Sequence, residues 1–115
     1  MTSLAPTLQA FFTDRLIRER AASPNTIAAY RDTIRLLLVY ASDQLGTEPS
    51  RLRIEQLDAP LIGAFLDYLD GERGCRPRTR NSRLTAIRSL YRYAARLHPE
   101  HAATIERVLA IPPKR

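Results

Sequence analysis

Apolar residues recur along most of this chain at three- and four-residue intervals, the period of amphipathic helices packed on a shared core. A first helix is expected from about Pro6 to Arg20, with Pro6 at a first helical position. Leu8, Phe11, Phe12, Leu16 and Ile17 would be its inward face. A second begins at Ser23-Pro24-Asn25-Thr26, where serine suits the N-cap and proline the first turn. It runs to about Leu45, and Gly46 supplies the stop. Ile27, Tyr30, Ile34, Leu37, Leu38 and Ala41 form one face, and Leu36 and Val39 add apolar area elsewhere, which predicts a central, well-buried helix.

The stretch GTEPSRLRIEQL reads as a connection. A third helix follows Asp58, with Ile62, Phe65, Leu66 and Leu69 as its stripe and GERG as its end. The fourth is RPRTRNSRLTAIRSLYRYAARL, Arg76 to Leu97, and a short fifth covers roughly Glu100 to Leu109 with Ile105, Val108 and Leu109 inward. Paired prolines in IPPKR cannot continue a helix. No strand-like alternation of useful length, internal repeat or low-complexity tract interrupts this pattern. The expected class is all-α, a compact four- to five-helix bundle, with residues 1–110 as one domain and 111–115 as the start of a linker.

Charge changes the picture at the fourth helix. At about 100° per residue, Leu84, Ile87, Leu90, Tyr91 and Ala94 share one side. Arg78, Ser82, Thr85, Ser89, Arg92 and Arg96 share the other. Seven arginines and no acid lie between Arg76 and Leu97. Several crowd the helix start, where free N–H groups and the macrodipole are already positive. Such a face is expected to draw its counter-charge from outside. DNA offers one: arginine and helix N–H groups meet phosphates, while Arg, Asn, Ser and Thr read base edges. The alternative is a solvated helix neutralised by neighbouring acids, with Asp67, Asp70 and Glu72 available. The start of the second helix offers Ser23, Asn25 and Thr26, which ordinary capping also selects. Arg31 and Arg35 suggest a second basic edge, partly offset by Asp32.

Composition adds less. The chain has 115 residues and a formal net charge of +6, which favours a polyanionic partner. Lys114 is the only lysine among 18 basic residues, a bias that genome composition alone can produce. Cys75 is the only cysteine, so no intrachain disulfide forms, and a reduced thiol fits a reducing compartment. No apolar run approaches the ~20 residues of a membrane span, and the N-terminus lacks a signal-peptide pattern, so the expected location is the cytoplasm. His98 and His101 in HPEH have no cysteine or acidic cluster beside them and read as loop polarity rather than metal ligands. No Gly-rich phosphate loop and no Ser/His or Cys/His pairing is evident.

Two segments then stand out together. Ser23-Pro24-Asn25-Thr26-Ile27-x-x-Tyr30 is followed some fifty residues later by Arg78-Thr79-Arg80-Asn81-x-Arg83-Leu84-x-x-Ile87-Arg88-x-x-Tyr91-x-Tyr93. This order and spacing resembles the tyrosine recombinase (phage integrase) family, in its N-terminal core-binding, SAM-like domain. The resemblance implies a helical clamp on one side of a double-stranded recombination half-site, with second and fourth helices approaching the major groove. Carried over by position, it implies DNA contacts at Ser23, Asn25, Thr26 and Ala29, and at Arg78, Thr79, Asn81, Ser82 and Thr85. Charge adds Arg31, Arg76, Arg80 and Arg83 to the candidates. Arg76 stands where many relatives have a small capping residue. The resemblance further implies no metal or nucleotide cofactor, and other recombinase protomers as partners on synapsed DNA. It implies a bacterial protein, nucleoid-associated when bound. The family's tyrosine nucleophile belongs to a separate catalytic domain, and none of the five tyrosines here matches its context. Binding without strand cleavage is therefore expected of this chain. The competing expectation is a helical protein–protein module whose basic face meets an acidic partner.

Overall fold

A computed structural model describes residues 2–19, 21–71, 74 and 76–114, with the side chains of residues 18 and 19 outside the description. Cys75, Glu72 and the far end of the first expected helix at Arg20 lie outside the described residues. Five helical segments account for most of the rest. The first, α1, is α-helical over Leu4–Ala10 and continues as a wider π-helical run over Phe11–Glu19. It is followed by α2 (Pro24–Leu45), α3 (Ala59–Gly71), α4 (Pro77–Leu97) and α5 (Ala102–Leu109). Among the described residues the only β-type pairing is an isolated bridge between Ser3 and Arg53. The bundle is all-α, as the spacing predicts.

The boundaries of α2 follow from its local chemistry. Ser23 Oγ accepts the Thr26 backbone N–H at 3.1 Å, and Pro24 opens the first turn. Gly46 closes the helix in the left-handed region at φ 61°, where an L-residue would be strained. Between α1 and α2 the chain turns through Ala21, itself at φ 47°.

The core draws on every helix. Phe11, Leu16, Leu37, Ile62, Phe65, Leu66, Leu84, Ile87, Ile105 and Val108 are all almost completely buried. Tyr91 is buried too, and its hydroxyl donates to the Leu57 carbonyl at 2.6 Å. Burial, and secondarily the charge of Asp58, push the Tyr91 phenol far above its ordinary range, so it remains a donor at all physiological pH.

Four expectations need correction. Ile17 is 53% exposed rather than inward. The turns of the π-helical run hold more residues than α-turns, so Leu16, five residues after Phe11, takes the inward place and Ile17 rotates out. Val39 is 59% exposed, so α2 is buried along a stripe and not all round. The connection 46–57 is more than a link. It makes two short 3₁₀ turns, Pro49–Arg51 and Ile54–Gln56, and inserts Leu52, Ile54 and Leu57 fully into the core. The start of the fifth helix is also tighter than expected: Pro99–His101 forms a 3₁₀ turn before α5 proper.

The two histidines tie this end of the molecule together. His98 Nε2 lies 2.9 Å from the Thr7 hydroxyl, and His101 Nε2 lies 2.8 Å from that of Thr2. Both are hydrogen bonds that fasten the N-terminal segment to the turn between α4 and α5. Among the described residues no three potential ligands gather to hold a metal.

Candidate nucleic-acid interface

The N-terminal halves of α2 and α4 border one open groove of about 510 Å³. From α2 it is lined by Asn25, Thr26, Ala29, Tyr30, Asp32 and Thr33, and from α4 by Thr79, Ser82, Arg83 and Thr85. The two motifs singled out in the sequence therefore meet in space. Asn25, Ala29, Thr79, Ser82 and Thr85 are exposed. Small polar side chains on an accessible surface are the chemistry that reads base edges. Ser23 sits just outside as the N-cap, with its hydroxyl also bonded to Thr26 Oγ1 at 3.0 Å. Thr85 Oγ1 donates back to the Asn81 carbonyl at 3.0 Å.

The arginines divide. Arg83 lines the groove but pairs with Asp32 across it, Nη1 to Oδ2 at 3.4 Å. Asp32 also holds Arg35 at 2.7 Å. The hydrogen bond from Arg35, and then that from Arg83, keep the Asp32 carboxyl below the usual carboxylate range against the opposing pull of partial burial. Arg31 lies outside the groove, with its guanidinium 5.8 Å from the Phe12 ring centroid. Arg88 donates to the Ile111 carbonyl. Arg80 is buried, its Nε 3.3 Å from Asp70 Oδ2. The contact is a charge pair without an aligned hydrogen bond, because Nε, Nη1 and Asp70 Oδ1 find no hydrogen-bond partner among the described residues.

The expectation that all counter-charge comes from outside is thus corrected: Asp70 and Asp32 neutralise two of the seven arginines internally. Arg76 and Arg78, at the exposed start of α4, and Arg92, further along the polar stripe, have no carboxylate partner among the described residues. Arg76 occupies the N-cap position with no side-chain capping bond. These three exposed cations are part of the charge that the helix presents outward. The signal for Arg80 was present in the sequence: it falls four residues before Leu84, on the apolar stripe of the helix.

Asn81 has a partner within the chain. Its amide is taken up by the backbone of Lys114, Nδ2 to the carbonyl at 2.7 Å and Oδ1 from the N–H at 2.8 Å. Nothing in the spacing of α4 announces this contact, which spans 33 residues.

Known proteins resemble this chain over most of its length. Residues 9–98 match the family model described as phage integrase, N-terminal SAM-like domain. The chain is 58% identical over 113 residues to y4rC of Sinorhizobium fredii (strain NBRC 101917 / NGR234), a protein named as an integrase/recombinase. It is 45% identical over 112 residues to y4rD of the same strain, named likewise. The alignments cover 98% and 97% of this chain but only 34% and 40% of those relatives, so the chain spans little more than a third of their length. No solved structure gives a significant match.

Proposed function

The chain belongs to the phage integrase N-terminal SAM-like domain family, and from that premise we propose that it binds double-stranded DNA as the N-terminal clamp of a site-specific tyrosine recombinase. The observation that carries this reading is the α2–α4 groove. It presents exposed Asn25, Thr79, Ser82 and Thr85 between two helix starts, beside Arg76 and Arg78, which lack internal counter-charge. Helix N-termini donate free N–H groups toward phosphates, and the arginines add charge at the same place. The small polar residues then face the base edges of a recombination half-site.

In this reading residues 1–110 form the DNA-binding domain and 111–115 begin the linker. Strand cleavage belongs to a part of the longer relatives that this chain does not match. Other protomers on synapsed DNA are its protein partners, and a bacterial cytoplasm, at the nucleoid, is its place of work. No helix among the described residues is long and apolar enough to cross a membrane.

Competition tests the reading against an acidic protein partner. Labelled half-site duplex bound to the chain is expected to be displaced by unlabelled duplex at far lower concentration than by an acidic polypeptide of equal charge. Equal displacement by the two would move the basic face to a protein partner.

A further inference from the structure

The segment after α5 does not leave the domain freely. It runs back along α4 and is held at both ends. Arg88 Nη2 donates to the Ile111 carbonyl, and Asn81 pairs with both the N–H and the carbonyl of Lys114. Lys114 Nζ adds a bond to Asp70 Oδ2 at 3.0 Å.

The sequence between the two holds explains their spacing. Pro112 and Pro113 have no N–H, so Lys114 is the first residue after Ile111 that can donate one. Two prolines also favour an extended polyproline path of about 3.1 Å per residue, or roughly 9 Å from residue 111 to 114. Asn81 and Arg88 are seven residues apart on one helix, which puts them on the same side, roughly 10 Å apart along the axis. The two lengths match. A pair of hydrogen bonds from one amide to one residue also restricts register, because a slip that brings Pro113 opposite Asn81 removes the donor.

We propose that Asn81 and Arg88 form a clasp that fixes residues 111–114 antiparallel along α4, with Asn81 as a positioning residue rather than a base-reading contact. The clasp delivers the chain to the N-terminal end of α4. On the DNA reading given above, on which this clause rests, that is the end beside the groove. The longer relatives would then carry their remaining sequence away from a fixed point next to the bound duplex.

Backbone amide exchange followed by NMR tests the clasp directly. In the wild-type chain the Lys114 amide is expected to exchange at least about tenfold more slowly than in an unstructured peptide, the effect of one ordinary hydrogen bond. Asn81→Ala is expected to abolish that protection while the amides of α2 and α4 keep theirs. Its affinity for duplex DNA is expected to stay within about twofold of wild type, since the lost amide was not facing DNA. Peptide-like exchange of Lys114 in the wild type would overturn the clasp without any variant being made. Retained protection in Asn81→Ala, or a large loss of duplex affinity with protection unchanged, would overturn the role given to Asn81. Should the wild type bind no duplex at all, the DNA reading fails, and Lys114 exchange still decides the clasp.

Discussion

Asp70→Ala is expected to destabilise the fold by about 3 kcal/mol, the low end of the cost of stranding one member of a buried ion pair. Asp70 on α3 is the carboxylate beside Arg80, whose side chain is only 11% exposed. Removing it leaves a guanidinium in the protein interior with no counter-charge, and loses the Lys114 contact as well. For a domain of this size the melting temperature should fall by about 10 °C. The pairing can be separated from mere truncation. Combining Asp70→Ala with Arg80→Met is expected to recover most of the loss, because no unpaired charge remains buried. Thermal unfolding of the two variants beside wild type checks this. An Asp70→Ala protein as stable as wild type would mean that Arg80 reaches solvent and is available to a partner.

Ala29→Glu is expected to weaken duplex binding by about tenfold or more, because on the proposed reading it adds a negative charge to the groove that receives a polyanion. Ala29 is exposed, so stability should change by no more than about 0.5 kcal/mol. Gln44→Glu, exposed near the other end of the same helix, makes the same change in net charge away from the groove. It should cost far less. Equal losses in the two variants would mean that DNA responds to overall charge and not to the α2–α4 groove.

These two positions also mark what the sequence reveals and what it hides. Ser23, Pro24 and Gly46 announce the ends of α2 because capping and termination are local chemistry. The inner face of α4 is legible because Leu84, Ile87, Leu90, Tyr91 and Ala94 keep one period. Periodicity fails where the period itself changes, as at Ile17 in the wider turns of α1. It also overlooks Leu52, Ile54 and Leu57, which enter the core from short turns that carry no repeating pattern. Within the site, the meeting of the two helix starts was visible as a pair of motifs. The division of the arginines was visible only in part: the helical period puts Arg80 on the apolar stripe but does not name its partner. Arg78 and Arg80 are the same residue type two positions apart, yet only Arg80 points at Asp70, which comes from α3. Asn81 has the side chain of a base reader, and its engagement depends on a backbone that returns only after α5.

The central claim is that the exposed arginines of α4 meet phosphates. Fluorescence anisotropy of a labelled duplex across a salt series tests it most directly, starting at low salt. Arg76, Arg78 and Arg92 offer two to three phosphate contacts, so the logarithm of affinity should fall linearly with the logarithm of salt, with a slope of about −2 to −3. No duplex binding even at low salt, or binding indifferent to salt, would contradict the account.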